Sequence, residues 1–525
     1  MNKLNKILSV SLSAVLLFGC SAKKDEKIKI PEIQTSSVSE NLDLPIISIQ
    51  TESTAENVMD FVKCPVAKHV AESKASWTPG YVMPPEPYYE NCYVKLTTKD
   101  GSSDLEPCAA QVKVRGNWTT DYPKKPLRIK FKQKTNLLGL NNGAEFKNWV
   151  LLAEYKDGSM LRNKAAFFAS RQILSEDGLY SADSQLVNVE VNGEYMGVYL
   201  LTEQQQVSEN RVNINSPKKD YKGTDIGYFL EFDGYFENEE ELKAFPLDLN
   251  NNALLKPYDG NNGSGRTIKC LSAGGTIKQP LGVTIKSEIY SQEQHDFIEN
   301  FVNNTYKIMY EAAYNDKAFV FDDKYKTVSE TTSITPQQAV ENVVDIQSLV
   351  DMYIISELTC DADITWSSFY MDADFSDGGS KKLRFEAPWD FDSSMGNRPR
   401  CEDGYGYYAA NIIPDPSMEK PSINPWLAVL AYEDWYRDMV KDTWTKAYDK
   451  GIFEQTCKMI EEDSEKYQQD FKENYKKWNN LIVNYQFEFE LSDEAKKCTN
   501  EKQAAEYLTK WLQKRIEFLN SEWHT

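Results

Sequence analysis

Two acidic segments carry residue types and spacings suited to moving a phosphoryl group. One is CDADITWSSFYMD, residues 360–372; the other is RFEAPWDFDSSMG, residues 384–396. In the first, Asp363 is followed at the fourth and fifth positions by the hydroxyls of Ser367 and Ser368. In the second, Asp390 and Asp392 flank Phe391, between Trp389 and Gly396. One Asp, a nearby oxygen ligand, a strand-like link and further acids beside an aromatic ring is the order of parts in a phosphoryl-transfer site. Asp363 would orient a hydroxyl nucleophile. Asp390 and Asp392, with an oxygen such as that of Ser368, would hold a magnesium ion against nucleotide phosphates. Such chemistry asks for positioned acids, metal and cations, and for no His or Cys nucleophile.

Cations stand in the strand-rich half. Val112-Lys113-Val114-Arg115-Gly116-Asn117-Trp118 is followed by Tyr122-Pro123-Lys124-Lys125-Pro126-Leu127-Arg128-Ile129-Lys130-Phe131. Backbone N–H groups near Gly116, with a Lys or Arg on the next strand, suit a phosphate cradle. The bland alternative makes Lys124 and Lys125 a solvated turn and Arg115 an ion-pair partner. Arg162 and Lys164 can brace such a site or lie on a helix surface. Glu203 follows a hairpin, where a nucleotide enzyme places the hinge that meets the base; it can equally be structural. Glu231 and Asp233 are ambiguous strand acids.

The amino terminus speaks of export. Lys3 and Lys6 precede a short apolar run that ends Leu16-Leu17-Phe18-Gly19-Cys20. Its length suits a signal peptide and not a spanning helix. The ending resembles a bacterial lipobox, which implies cleavage before Cys20 and lipid on its sulfur. That lipid would hold the protein at the outer face of a membrane. The formal net charge of −21 argues against nucleic acid as a partner. Beyond Cys20 there are eight cysteines, none in a C-x-x-C pair, and the chain has three histidines. A zinc site is therefore not expected, and an even number suggests disulfides, with Cys92 and Cys108 one candidate pair.

These residues need elements to position them. Residues 21–75 are poor in aromatics and read as a tether between residues 1–20 and a domain over 76–525. Strand signals dominate about 88–240. Val187–Val191 and Tyr195–Leu201 around Asn192-Gly193 form the clearest hairpin. Asp157–Leu174 reads as a helix capped by Asp157 or Ser159. Residues 246–280 look like an inserted loop. Helices are expected over Gln292–Tyr314, Asp345–Thr359 and most of the last hundred residues. Tyr436, Val440, Trp444 and Ala447 there, and Leu508, Leu512, Ile516 and Leu519, mark buried stripes. Strands first and helices later predict an α+β protein, with a sheet-rich N-lobe and a helical C-lobe over about 281–525.

Six segments in order, VKVRGNWTTDYPKKPLRIKF, NWVLLAEYKDGSMLRNKAAF, VNVEVNGEYMGVYLLTEQ, GYFLEFD, ELTCDADITWSSFYMD and APWDFDSSMG, resemble the spore-coat-protein-H (CotH) kinase family. The closing YLTKWLQKRIEFLNSEW is similar to that family's final helix, and the likeness covers roughly 88–525. The resemblance implies an atypical two-lobed protein-kinase-like fold that uses ATP and Mg2+ or Mn2+ to phosphorylate Ser or Thr of exported proteins. It implies Asp363 as the catalytic-loop acid and Asp390 and Asp392 as the metal-binding acids. Arg115, Gly116, Asn117, Arg128 and Lys130 fall where the phosphates should lie. Ser367 and Ser368 stand where the family often has Asn, and Trp118 where it often has Ser. The function expected is a lipid-anchored, extracytoplasmic kinase. The alternative is a catalytically weak surface scaffold or carbohydrate-associated binding protein.

Overall fold

The computed structural model describes residues 30–248, 255–260, 281–361, 363–399, 402–411, 423–479, 481 and 490–525. The expected leader, Cys20 and most of the 246–280 loop lie outside the described residues. The architecture is α+β, with strands concentrated early and helices late.

Seven strands close a barrel in the order β1-β2-β3-β4-β5-β7-β6. They are β1 (Ile46–Thr51), β2 (Glu90–Thr97), β3 (Ser103–Val114), β4 (Leu127–Thr135), β5 (Phe146–Leu152), β6 (Ser184–Val191) and β7 (Glu194–Glu203). Each strand turns alternate residues inward, so Val94, Val112, Ile129, Trp149, Val189 and Tyr199 fill one apolar interior. Asn192 and Gly193, both at positive φ, make the tight β6–β7 turn that the sequence predicts. Closure depends on β1, which pairs antiparallel with β2 and parallel with β6. It falls inside residues 21–75, expected to be a tether. Its Ile47 and Ile49 enter the barrel core, and the carboxylate of Asp470 accepts the N–H of Leu44 at 3.1 Å and the Asn188 amide at 2.7 Å. A polar, aromatic-poor composition hid one short strand that the rest of the barrel recruits.

Helix α1 (Lys68–Trp77) packs outside the barrel, with a small core of its own from Val66, Val70 and Ala71. Helix α2 (Arg162–Leu174) begins later than expected, because Asp157 and Ser159 shape the turn before it. Asp157 accepts the N–H groups of Leu161 and Arg162 at 3.1 and 2.8 Å, so it caps the helix from outside it.

A second sheet runs β14-β13-β8-β10-β9. It comprises β8 (Gly227–Asp233), β9 (Ala244–Pro246), β10 (Gly282–Ile285), β13 (Phe369–Asp374) and β14 (Arg384–Phe385), while β11 (Ala318–Phe321) pairs separately with β12 (Val328–Thr331). Strand β8 thus joins the later half, although it lies within the expected N-lobe segment. Helices α3 (Gln292–Asn315), α4 (Pro336–Val343), α5 (Ile346–Thr359), α6 (Asp434–Asp449), α7 (Ile452–Lys466), α8 (Gln468–Lys477) and α9 (Glu501–Trp523) complete the fold. The stripes Tyr436, Val440, Trp444, Ala447 and Leu508, Leu512, Leu519 are buried in the large shared core, with Ile516 packed against it. Among the described residues, no helix is long and apolar enough to cross a membrane.

Cys92 and Cys108 do not bridge. Their strands pair, but Cys92 faces Ala110 and Cys108 faces Val94, so the register sets them two positions apart.

Candidate active site

A cleft of about 1470 Å³ opens between the barrel and the second sheet, lined by Arg115, Gly116, Asp363, Ser368, Asp390 and Asp392 among others. Residues far apart in the chain meet here because three irregular segments end in the same place.

Asp363 stands just past α5. That helix ends at Cys360 in left-handed backbone, φ 46°, and Asp363 opens a short 3-10 turn to Thr365. The side chain of Asp361 accepts the Asp363 N–H at 3.0 Å, and the Asp363 carbonyl accepts the N–H groups of Trp366 and Ser367 at 2.7 and 2.8 Å. Asn424 donates to the carbonyl of Ile364 at 2.7 Å. Below the turn, the buried Glu357 accepts the N–H groups of Tyr408 and Ala409 and pairs with Arg515 at 2.5 Å.

Asp390 is itself left-handed, φ 72°, and starts the turn Phe391–Ser393. The start of α2 holds this turn. The Asn163 side-chain oxygen accepts the Phe391 N–H at 2.8 Å, while its amide donates to Glu154. Arg162, ion-paired with Asp157, donates to the carbonyls of Ser394 and Met395 at 3.2 and 3.4 Å. The ring of Phe167 packs on Trp389 and Phe391. The Met395 N–H then donates to the carbonyl of Thr359 at 2.7 Å, tying the Asp390 turn to the end of α5. Arg162 therefore braces the site from behind. Lys164 pairs with Asp463 on α7.

The electrostatics are those of crowded acids. Burial first, then the charges of Asp392 and Asp363, push Asp390 up to about 8, while Arg115 and Lys156 pull it back. Burial likewise raises Asp392, with Asp363 adding to the shift and Lys156 and Arg398 opposing it. Burial raises Glu154, also in the cleft wall. Lys156 donates to Ser393 Oγ at 3.0 Å and pairs with Glu490 at 2.7 Å. Half-buried carboxylates crowded around Asp390, with oxygen donors only, are a donor set that a hard divalent cation fits. Ser368 also lines the cleft; its backbone N–H donates to Glu231 at 3.0 Å, and Glu231 pairs with Lys286 at 2.8 Å.

Arg115 lies just beyond the end of β3, its guanidinium 5.8 Å from the centre of the Trp389 ring. Gly116 follows at φ 107°, a conformation only glycine adopts readily, and a Cβ there would lie 2.2 Å from Thr119 Oγ1.

Three expected binding residues are elsewhere. Arg128 donates to the Asn148 side chain at 2.9 Å, and Lys130 is exposed above the Tyr89 ring at 5.9 Å. Their neighbours Leu127, Ile129 and Phe131 point inward, so the two-residue period of β4 turns both cations to the outside of the barrel. Glu203 is buried and accepts from the Asn141 amide at 2.7 Å, the Asp183 N–H at 2.8 Å and Arg211 at 3.4 Å. It braces loops and does not line the cleft. Lys124 and Lys125 are neither phosphate ligands nor a solvated turn. Lys124 is buried and donates to Asn474 of α8 at 2.9 Å, and Lys125 donates to the carbonyl of Thr120.

Lys156, Glu154, Asn163 and Arg398 line the cleft without having been singled out from sequence. Glu154 and Lys156 lie in the Glu-Tyr-Lys-Asp turn ahead of α2, which has no periodicity to mark it.

Among curated proteins, none matches the chain. The family model described as CotH kinase protein matches residues 112–519, a span that contains Arg115, Gly116, Lys156, Asp363, Asp390 and Asp392 and leaves out α1 and β1. On that match, and with those residues gathered in one cleft, the chain belongs to the CotH kinase protein family.

Proposed function

We propose that this chain is an atypical protein kinase, which transfers the γ-phosphoryl group of ATP to Ser or Thr hydroxyls of proteins outside the cytoplasm. In this reading the barrel and the helical half are the two lobes, and lipid on Cys20 holds the enzyme to a membrane. The observation that carries it is the meeting of Asp363, Asp390 and Asp392 with Arg115, Gly116 and Lys156 in one cleft.

Each residue has a task. Asp363, fixed at the start of its turn, accepts the proton side of the acceptor hydroxyl and aims its oxygen. Asp390 and Asp392 hold the divalent cation, with Ser368 as a further oxygen donor. When bound, that cation neutralises charge on the phosphates and orients them for in-line transfer. Arg115 and Lys156 face the remaining phosphate charge, and the backbone at Gly116 approaches closely because no Cβ intervenes.

Incubation with labelled ATP and Mg2+ or Mn2+, together with melting temperature with and without ATP plus Mn2+, tests the reading. Wild type should label itself or an added protein and should melt higher with nucleotide. Asp363→Ala should keep the thermal shift and lose transfer by at least a hundredfold, as expected for a positioned acid or base. Asp390→Ala should lose the shift itself. Neither labelling nor shift in wild type would leave the scaffold reading in its place.

A further inference from the structure

The side of the cleft around Asp363 is aromatic, and nothing in phosphoryl transfer itself requires that. Trp77, the last residue of α1, lies parallel to Trp118, with ring centres 6.1 Å apart and planes within 5°. Trp118, Tyr235 and Trp366 line the same wall of the cleft. Tyr235 and Trp366 meet edge to face at 5.7 Å, and the Trp366 backbone N–H donates to the carbonyl of Asp363. Two ring pairs, Trp77–Trp118 and Tyr235–Trp366, thus lead from solvent toward the residue assigned to the acceptor hydroxyl, and all four rings line the cleft.

This strip of two ring pairs is built and held. Trp77 is 60% exposed and Trp118 37% exposed, yet α1 is pinned beside them. Lys74 pairs with Asp121 at 2.7 Å, the Ala67 N–H donates to Thr120 Oγ1 at 2.9 Å, and His69 meets Asn117. Under Trp366 lies Gly234, where a Cβ would sit 3.0 Å from the indole, so that ring rests directly on backbone. Indoles kept open to water beside a cleft are the usual anchors of recognition surfaces, since they offer large rigid faces with little entropy to lose. The polar groups along this wall are already engaged with one another: Glu231 with Lys286 and Ser368, Asp233 with Thr284 and Tyr235.

Resting on the kinase reading above, we propose that this strip is the acceptor subsite and that it selects a peptide whose target Ser or Thr is flanked by an aromatic side chain. Trp77 lies outside the family match and Trp118, Tyr235 and Trp366 inside it, so the outermost ring of the subsite is the contribution of this chain's own amino-terminal segment.

Calorimetric titration of the full chain with two synthetic peptides tests it, one with Tyr beside a central Ser and one with Ala there. The Tyr peptide should bind about tenfold tighter, the scale of one good ring stack with its buried area. Trp77→Ala, at an exposed position that should not disturb folding, and Trp118→Ala should each bring the two peptides to similar affinity, with Trp77→Phe retaining part of the preference. Equal or absent binding in wild type, or discrimination surviving both alanine variants, overturns the proposal. So does tight binding of a neutral oligosaccharide that displaces both peptides equally. Peptide discrimination without any ATP-dependent thermal shift or transfer would instead sink the kinase reading and leave the subsite standing.

Discussion

Single residues in this cleft are held in conformations that most side chains avoid. Gly116, at φ 107° with Thr119 Oγ1 in the place of a Cβ, is the plainest case. Gly116→Ala should cost roughly 1–3 kcal/mol of stability and shift the loop between β3 and β4, so that nucleotide binding falls with it. Denaturant unfolding and the nucleotide-dependent thermal shift check both. Far from the cleft, burial pushes Glu501 at the start of α9 up to about 8, above the roughly 4.3 of an unfolded chain. Burial favours its protonated form, and the Ser464 hydroxyl, donating at 3.0 Å, opposes that shift without cancelling it. Its contribution to stability is therefore fully present below the unfolded value and is lost as pH rises through about 8. Glu501→Gln should melt with wild type at pH 4 and several degrees above it at pH 9; melts across that range decide. At this scale type and spacing together singled out Asp363, Asp390 and Asp392, and the fold brings the three into one cleft. The sequence misled for Arg128 and Lys130, although Leu127, Ile129 and Phe131 already marked the inward face of that strand. Lys156 was invisible because one cation in a turn carries no pattern.

At the scale of elements, the turn that carries Asp363 depends on a helix that arrives much later in the chain. Arg515 of α9 is fully buried and donates to the Glu357 carbonyl at 2.7 Å, to its carboxylate at 2.5 Å and to the Gly406 carbonyl at 2.6 Å. Arg515→Ala leaves a buried carboxylate and two carbonyls without this donor, and should cost about 3–5 kcal/mol. Urea unfolding should show that loss, and transfer should fall further than stability alone explains, because α5 carries Asp363. Periodicity revealed α6 and α9, since each has to bury one stripe, whereas α5 is buried on nearly every face. Periodicity set the start of α2 too early, because Asp157 acts as an outside cap whose own residue is not helical.

For the molecule as a whole, the amino-terminal and carboxy-terminal regions are joined. Asp470 of α8 is buried and receives donors from Asp43, Leu44 and Asn188. Asp470→Ala strands those donors and should cost about 2–4 kcal/mol, with the β1 amides losing protection before the rest of the barrel. Hydrogen exchange would show it. The barrel could not be read from sequence because its closing strand comes from a stretch with tether-like composition, and closure is a property of seven strands together.

The Glu357–Arg515 pair joins residues 158 positions apart. A ribosome that has finished the acidic turn has therefore not yet produced the arginine that steadies it. Chains that stop short of Arg515 should carry Asp363, Asp390 and Asp392 and still lack the contact that steadies the end of α5.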